Sequence, residues 1–284
     1  MKYLFIGNRR FVLEELLKRS SDVAVYVMEK THLHKENLLQ QLPHTVISTS
    51  EEVHRVLIDE EYDILISNGL PHILNLAKLP KKLFVNIHPS FLPDLRGVDP
   101  VLGSILFERD AGATCHIIDE GIDTGPIISQ EKIPFSDDLH ASLLYLLSFE
   151  AEKRCFISAW EKNFIPINQK QPTSTDTVYF TRSYNTRFLP LTGSDYEVIQ
   201  TVKAFENKNQ GARFLIDKQE FRCFDIWLSH NPFLLEMISQ HEINSVAMVY
   251  EDTLIVKRNR SAIGLRHVEG NLDNNLVGKM IVGR

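Results

Sequence analysis

Asp63-Ile-Leu-Ile66, closed by Ser67-Asn-Gly69, and Leu83-Phe-Val-Asn-Ile87, closed by His88-Pro89, decide how this chain folds. Both runs are apolar almost without interruption and stop at small or polar residues. A strand buried on one face alternates in polarity, whereas a strand buried on both faces does not. These two therefore read as central strands of a covered sheet. Working outward, Leu4-Phe5-Ile6 is a similar run that halts at Gly7-Asn8, and Val23 to Val27 is another. Between the strands, Arg10 to Lys18 has helical spacing, with Phe11, Leu13, Leu16 and Leu17 on one side. Glu51 to Ile58 repeats that spacing through Val53, Val56 and Leu57. Strands alternating with helices predict an α/β fold with a doubly wound, mainly parallel sheet. Ligands of such sheets sit beyond the carboxyl ends of the strands. Gly7, Gly69 and His88 all fall at such ends.

Further along, Val101 to Glu108 reads as a helix. Ala113 to Ile118 and Pro126 to Phe135 read as strands around a glycine-rich turn. Leu139 to Trp160 reads as a long amphipathic helix that closes the first domain. The polar stretch from Pro166 to Thr177 reads as a linker. The expected division is a catalytic domain over 1–167 and a smaller β-rich domain over 168–284. The second part carries a short helix (Tyr196 to Phe205) and strand-like runs at Ala212 to Ile216, Phe221 to Leu228, Val246 to Tyr250 and Thr253 to Lys257. Phe221 to Trp227, with aromatics at about period two, reads as one β-core strand. Lys257-Arg-Asn-Arg260 reads as a solvated hairpin tip.

Composition narrows the function. A formal charge of −6 and a pI near 6.0 disfavour a dedicated nucleic-acid binder. The three cysteines form no Cys-x-x-Cys pair and no His/Cys cluster with zinc spacing, so neither a disulfide framework nor a metal is expected. The N-terminus lacks a signal-peptide pattern, and no apolar run reaches the ~18 residues of a membrane span. A cytoplasmic protein is the expectation.

Asn86 and His88, two apart on a strand, share a face. By themselves they fit a plain strand end. They gain weight from the braced loop Pro89-Ser-Phe-Leu-Pro93 and from Arg96-Gly97 directly after them. The turn Asp119-Glu-Gly-Ile-Asp123-Thr-Gly125 holds three acids. Its glycines suit a strand connection, but Asp123 lies between Ile122 and Pro126-Ile-Ile128. That setting predicts a raised carboxyl pKa and a partner, for which His88 is the candidate. An amide, an imidazole and a carboxylate can hold an oxyanion, move a proton and orient the proton mover, as acyl transfer to an amine requires. His116 reads as a half-buried structural histidine that could instead line the pocket. His32 and His34, in a polar loop, are given no role. Gly7-Asn-Arg-Arg10 lacks a G-x-G-x-x-G pattern; it offers Arg9 to an anion at a helix start, or it is an ordinary strand-to-helix turn.

Phe84-Val-Asn-Ile-His-Pro-Ser-Phe-Leu-Pro-Asp-Leu-Arg-Gly97 and Gly112-Ala-Thr-Cys-His-Ile-Ile-Asp-Glu-Gly-Ile-Asp-Thr-Gly-Pro-Ile-Ile128 closely resemble the formyltransferases that use 10-formyltetrahydrofolate. The resemblance covers most of residues 1–165. It implies catalytic roles for Asn86, His88 and Asp123. It also implies a pterin pocket at Gly69, Leu70, His72 and Ile73 and at Asp119, Glu120, Gly121 and Ile122. The co-substrate would be 10-formyltetrahydrofolate, without a metal. Ser194 to Phe205, then Gly211-Ala, is more weakly similar to the C-terminal domain of methionyl-tRNA and nucleotide-sugar formyltransferases. Asn207-Lys-Asn-Gln210 replaces that family's proline-rich turn.

Residues 168–284 hold 14 Lys and Arg against 13 Asp and Glu, a poor match to a tRNA's many phosphates. A nucleotide-linked, dTDP-borne amino-dideoxyhexose is the expected acceptor, for surface polysaccharide or O-antigen synthesis. Arg9 and Arg96 are the candidate acceptor contacts, and the resemblance suggests a homodimer. The alternatives are a methionyl-tRNA formyltransferase and a non-catalytic folate or nucleotide-sugar binder.

Overall fold

The computed structural model describes every residue except His32, Gln169, Thr173 and Thr175. His32, given no role above, thus lies outside the described residues. The chain divides into two compact units. One comprises Met1–Val101, Arg109–Phe135 and Tyr145–Phe180; the other comprises Leu102–Glu108, Ser136–Leu144 and Thr181–Arg284.

The first unit is built on a seven-stranded sheet. Its strands in chain order are β1 (Tyr3–Gly7), β2 (Val23–Met28), β3 (Thr45–Ile47), β4 (Ile64–Asn68) and β5 (Leu83–His88). The short β6 (Leu95–Arg96) stands outside this sheet, which β7 (Ala111–Ile117) and β8 (Ile127–Ile133) complete. The spatial order is β3-β2-β1-β4-β5-β7-β8. The first five strands pair in parallel, whereas β7 runs antiparallel to β5 and β8 antiparallel to β7. This is the mainly parallel α/β fold expected from the sequence. β3 has no counterpart in the sequence reading: it has three residues, two of them exposed, too short for a periodicity to register.

Strand parity splits the core in two. Phe5, Val27, Ile66, Val85 and Ile87 face α1 (Arg10–Arg19) with Leu13 and Leu16, together with Ala151, Cys155 and Phe156. Leu4, Ile6, Leu65 and Phe84 face α2 (Ser50–Asp59) through Val53 and Leu57. Each fully buried side chain of this kind contributes ~1.5–3 kcal/mol. The entry to α2 is fixed by a capping box in which Thr49 accepts from the Glu52 amide and Glu52 reaches back to the Thr49 amide. Two further helices are the short α3 (Pro100–Leu106) and the long α4 (Ala141–Glu161). No described helix is long and apolar enough to cross a membrane.

β9 (Val178–Tyr179) pairs in parallel with β6. The second unit carries α5 (Asp195–Phe205), the strands β10 (Ala212–Ile216), β11 (Gln219–Cys223) and β12 (Asp225–Ser229), then α6 (Pro232–Met237), β13 (Val246–Tyr250), β14 (Thr253–Lys257), β15 (Ala262–Arg266) and β16 (Ile281–Val282). They form two antiparallel sheets, β11-β10-β16 and β12-β15-β14-β13, which agrees with the expected β-rich region. Two local readings change. The run Phe221 to Leu228 is two strands, because at Phe224 the chain leaves one sheet for the other; the Phe224 amide donates to the Arg266 carbonyl at 3.2 Å. Arg258 is buried rather than solvated, since its guanidinium donates to Asp195 at 2.6 Å and to the carbonyls of Leu191 at 2.8 Å and Gly193 at 2.7 Å.

Candidate active site

The carboxyl end of β5 carries Asn86 and His88. Pairing with β7 sets Asn86 opposite His116 and His88 opposite Thr114. The loop beyond His88 is pinned from below. Thr114 Oγ1 donates to the Ser90 carbonyl at 2.7 Å and accepts from the Leu92 amide at 3.1 Å. Gln130 Nε2 donates to the Leu92 carbonyl at 2.8 Å, and Ser90 Oγ to the Leu95 carbonyl at 2.5 Å. This loop is therefore a fixed wall.

The turn from β7 to β8 is built by Asp119, whose Oδ1 accepts from the Gly121 amide at 3.2 Å and from Thr124 Oγ1 at 2.6 Å. Gly125 closes it without a side chain, since a Cβ there would lie 1.8 Å from the Ile117 carbonyl oxygen. Asp123 takes the left-handed conformation at φ +54°, which aspartate tolerates better than most residues. Its Oδ2 lies 3.6 Å from His88 Nε2 and its Oδ1 lies 3.7 Å from His116 Nε2. The Gly97 amide donates to Oδ2 at 3.0 Å. Asn86 Nδ2 stands 3.3 Å from His116 Nε2, and His116 Nδ1 stands 2.8 Å from the Ile117 carbonyl. The carbonyl requires a proton on Nδ1 of His116, and Nε2 stands against the Asn86 amide. That contact orients the amide and leaves its second N–H for a ligand.

Burial shapes the charges. It is the largest influence on His88 and pushes its pKa below 6.5, against the pull of Asp123. His88 is therefore a neutral imidazole at pH 7, and its Nε2 has no hydrogen-bond partner among the described residues. Burial also pushes the Asp123 carboxyl up, as the sequence suggested. His88, His116 and the Gly97 amide outweigh it, and the group is held down to about 2. Asp123 is ionised, which corrects the raised value expected from its apolar neighbours: sequence proximity does not reveal a backbone N–H arriving from 26 residues away.

The structure thus brings Asn86, His88 and Asp123 together. It adds His116, which is 2% exposed and not half-buried. Gly97 and Gln171 are further members that sequence reading missed. The sequence left His116 between a structural and a pocket-lining role, which the β5–β7 register decides, and Gly97 was findable only as the glycine following Arg96. Gln171 lies in the stretch read as a linker. Its Nε2 donates to the carbonyls of Asp123 at 2.8 Å and Gly125 at 2.9 Å, and its Oε1 accepts from Arg96 Nη2 at 2.7 Å. Arg96 also donates to Tyr179 Oη at 2.9 Å. A cleft of about 360 Å³ opens beside this group, lined by Arg96, Asp119, Thr124, Lys170 and Gln171. Arg9 makes its contacts elsewhere, 3.6 Å from Glu152 and 5.0 Å above the Phe149 ring.

On the second core face, Leu70 and Ile118 pack against the same cluster. Ile73 is 74% exposed and Ile122 is 46% exposed. His72 Nε2 is buried without a partner among the described residues. Glu120 and Gly121 are exposed at the tip of the turn.

Comparison with known proteins bears on the fold and the family. Over 88 residues the chain is 35% identical to the methionyl-tRNA formyltransferase of Thermodesulfovibrio yellowstonii, covering 31% of this chain and 29% of that protein. In alignments with seven methionyl-tRNA formyltransferases, this one included, the chain spans between 20% and 66% of their length. Two solved structures share the fold over nearly the whole chain. WlaRD, a sugar 3N-formyltransferase crystallised with dTDP and 5-N-formyl-THF, superposes with a TM-score of 0.70 at 21% identity, covering 96% of this chain and 99% of that one. The N-formyltransferase of Helicobacter canadensis, in complex with folinic acid and dTDP-3-aminofucose, gives a TM-score of 0.69 at 22% identity, covering 94% and 99%. The profile of the formyl transferase family matches residues 12–160, more than half of the chain, and this protein belongs to that family.

Proposed function

We propose that this protein transfers the formyl group of 10-formyltetrahydrofolate to the amine of a nucleotide-linked amino-dideoxyhexose, with dTDP as the carrier. The observation that carries the reading is the ionised Asp123 set between His88 and His116, with Asn86 one contact away. Folate supplies an activated formyl group on nitrogen. The acceptor's neutral amine attacks that formyl carbon, a C–N bond forms, and the old C–N bond breaks to leave an amide and tetrahydrofolate. Asn86 donates its free N–H to the developing oxyanion, a contact worth ~3 kcal/mol. Neutral His88 takes the proton the amine loses and returns it to the departing folate nitrogen. Asp123 stabilises the imidazolium that forms between those steps. The exposed Ile73 and Ile122, with Leu70, His72 and the Asp119 to Ile122 turn, are assigned to the pterin, and Arg96 to the acceptor's phosphates, while Arg9 is engaged with Glu152 and Phe149.

Support for a sugar acceptor comes from the near-complete overlap with two sugar N-formyltransferases and from the near-zero charge of residues 168–284. The methionyl-tRNA formyltransferases among its relatives favour a second reading, in which tRNA is the acceptor. The expected setting is cytoplasmic synthesis of surface polysaccharide by a homodimer. The test is an assay of formyl transfer with 10-formyltetrahydrofolate against dTDP-3-aminofucose, its 4-amino counterpart and initiator methionyl-tRNA. Formylated sugar is the expected product; formylated tRNA alone would overturn the acceptor assignment, and no product from any would overturn the activity.

A further inference from the structure

We infer that Gln171 is a positioning residue that holds Asp123 against His88. This rests on the reading of Asp123 and His88 given above. Gln171 uses both of its side-chain donors and its acceptor oxygen. Both Nε2 hydrogens go to backbone carbonyls of the catalytic turn, Asp123 at 2.8 Å and Gly125 at 2.9 Å, and Oε1 accepts from Arg96 Nη2 at 2.7 Å. Its orientation is unambiguous, since two acceptors on one side and a guanidinium on the other admit only one placement of N and O.

The arrangement is a closed ring. Arg96 grips the turn through Gln171, while the next residue, Gly97, donates its amide directly to Asp123 Oδ2 at 3.0 Å. Asp123 sits at φ +54°, a conformation that persists in a non-glycine residue only where its surroundings fix it. Gly97 fixes the carboxylate and Gln171 fixes the peptide carbonyl of the same residue. Without Gln171, the carbonyls of Asp123 and Gly125 lose the donor that holds the turn, and the carboxylate is free to swing away from the imidazole. A displacement near 1 Å at a reacting group costs ~100-fold in rate.

The experiment compares Gln171→Ala, Gln171→Glu and Asp123→Asn with the wild-type chain. The first readout is the titration of His88 by NMR, which needs no acceptor. Asp123 raises the His88 pKa, so Asp123→Asn should lower it, and Gln171→Ala should lower it in the same direction by a smaller amount. The second readout is steady-state transfer from 10-formyltetrahydrofolate to dTDP-3-aminofucose, where Gln171→Ala should lose ~10- to 100-fold in kcat with KM for both substrates within about twofold. Gln171→Glu keeps the size and the Arg96 contact but turns a carboxylate toward two carbonyls, so it should not restore the rate. Restoration by Gln171→Glu would assign Gln171 a space-filling role and overturn the inference. An unmoved His88 titration in Gln171→Ala, with a clear shift in Asp123→Asn, would also overturn it. An unmoved titration in Asp123→Asn would instead remove the His88–Asp123 pairing on which both readings stand.

Discussion

Asp123 Oδ2 lies 3.6 Å from His88 Nε2, although the two residues come from different strand ends. The distance is just outside hydrogen-bond range, and the Gly97 amide occupies the same oxygen at 3.0 Å. The carboxylate thus acts on the imidazole through its field, while its own position is secured by backbone. Replacing Asn86, His88 or Asp123 by alanine should each cut turnover by at least ~100-fold. Stopped-time assays of formyl transfer check this, and a His88→Ala enzyme at near-normal rate would remove the histidine from the chemistry.

The charge state of His88 fixes the sign of the pH dependence. Burial lowers its pKa below 6.5, and only the neutral ring accepts the amine proton. Once the ionisation of the acceptor amine is divided out, catalytic efficiency should be flat at neutral pH and fall as the medium is acidified, with its midpoint below pH 6.5. Asp123→Asn withdraws a charge that favours imidazolium, so in that variant the midpoint moves to still lower pH. A His88 pKa above 7, read by NMR in the free protein, would rule out a neutral buried base.

The fold was legible because β1, β4 and β5 are apolar at consecutive positions, a pattern that parallel strands covered on both faces impose. The trio was legible because each member ends a recognisable element. His116 was not, since a histidine inside a strand looks the same whether it fills a core or faces a carboxylate; only the pairing of Asn86 with His116 decides it. Gln171 was hidden in a polar stretch whose composition marks a linker but whose side chain caps a turn 48 residues upstream. Arg258 misled for the opposite reason: charge density predicted water, while four backbone and side-chain acceptors, Asp195 and Asn244 among them, satisfy the buried guanidinium.

Gly97 should resist substitution. Its φ of +98° belongs to glycine, and a Cβ would stand 2.8 Å from the Phe180 carbonyl oxygen. Gly97→Ala should cost about 1–3 kcal/mol in folding stability through backbone strain. It should also displace the amide that donates to Asp123, so turnover should fall at least ~10-fold beyond any loss of folded protein. Denaturant melts alongside activity per folded molecule separate the two effects. Equal stability and activity in the alanine variant would refute this account of the loop.

In the second unit, stability should hinge on Arg258. It is 6% exposed, bonds Asp195 at 2.6 Å, and joins the carbonyls of Leu191 and Gly193. Removing one member of such a pair strands the other, so Arg258→Ala should destabilise by roughly 3 kcal/mol. Arg258→Lys keeps the charge but loses the planar fork, and should recover only part of the loss. Calorimetry on the full chain tests the ranking, and a lysine variant as stable as wild type would contradict it.

Glu152 gives the last prediction. It is 1% exposed on α4, and burial drives its carboxyl pKa from 4.5 up to about 7 despite Arg9 and the Asn68 amide beside it. Arg9 Nε lies 3.6 Å from Glu152 Oε1, and both atoms are buried without a hydrogen-bond partner among the described residues. A carboxyl with a folded pKa above its unfolded value binds an extra proton in the folded state between those values. Its contribution is therefore fully present below pH 4.5 and lost as pH rises through 7. The loss is on the order of 3 kcal/mol. Glu152→Gln is neutral at every pH and should abolish that slope, so its stability relative to wild type should grow from pH 5 to pH 8. Arg9→Met removes the neighbouring cation and should steepen the wild-type slope. Urea melts of the three chains at matched pH values decide it, and parallel wild-type and Glu152→Gln curves would mean that the carboxyl keeps its ordinary pKa.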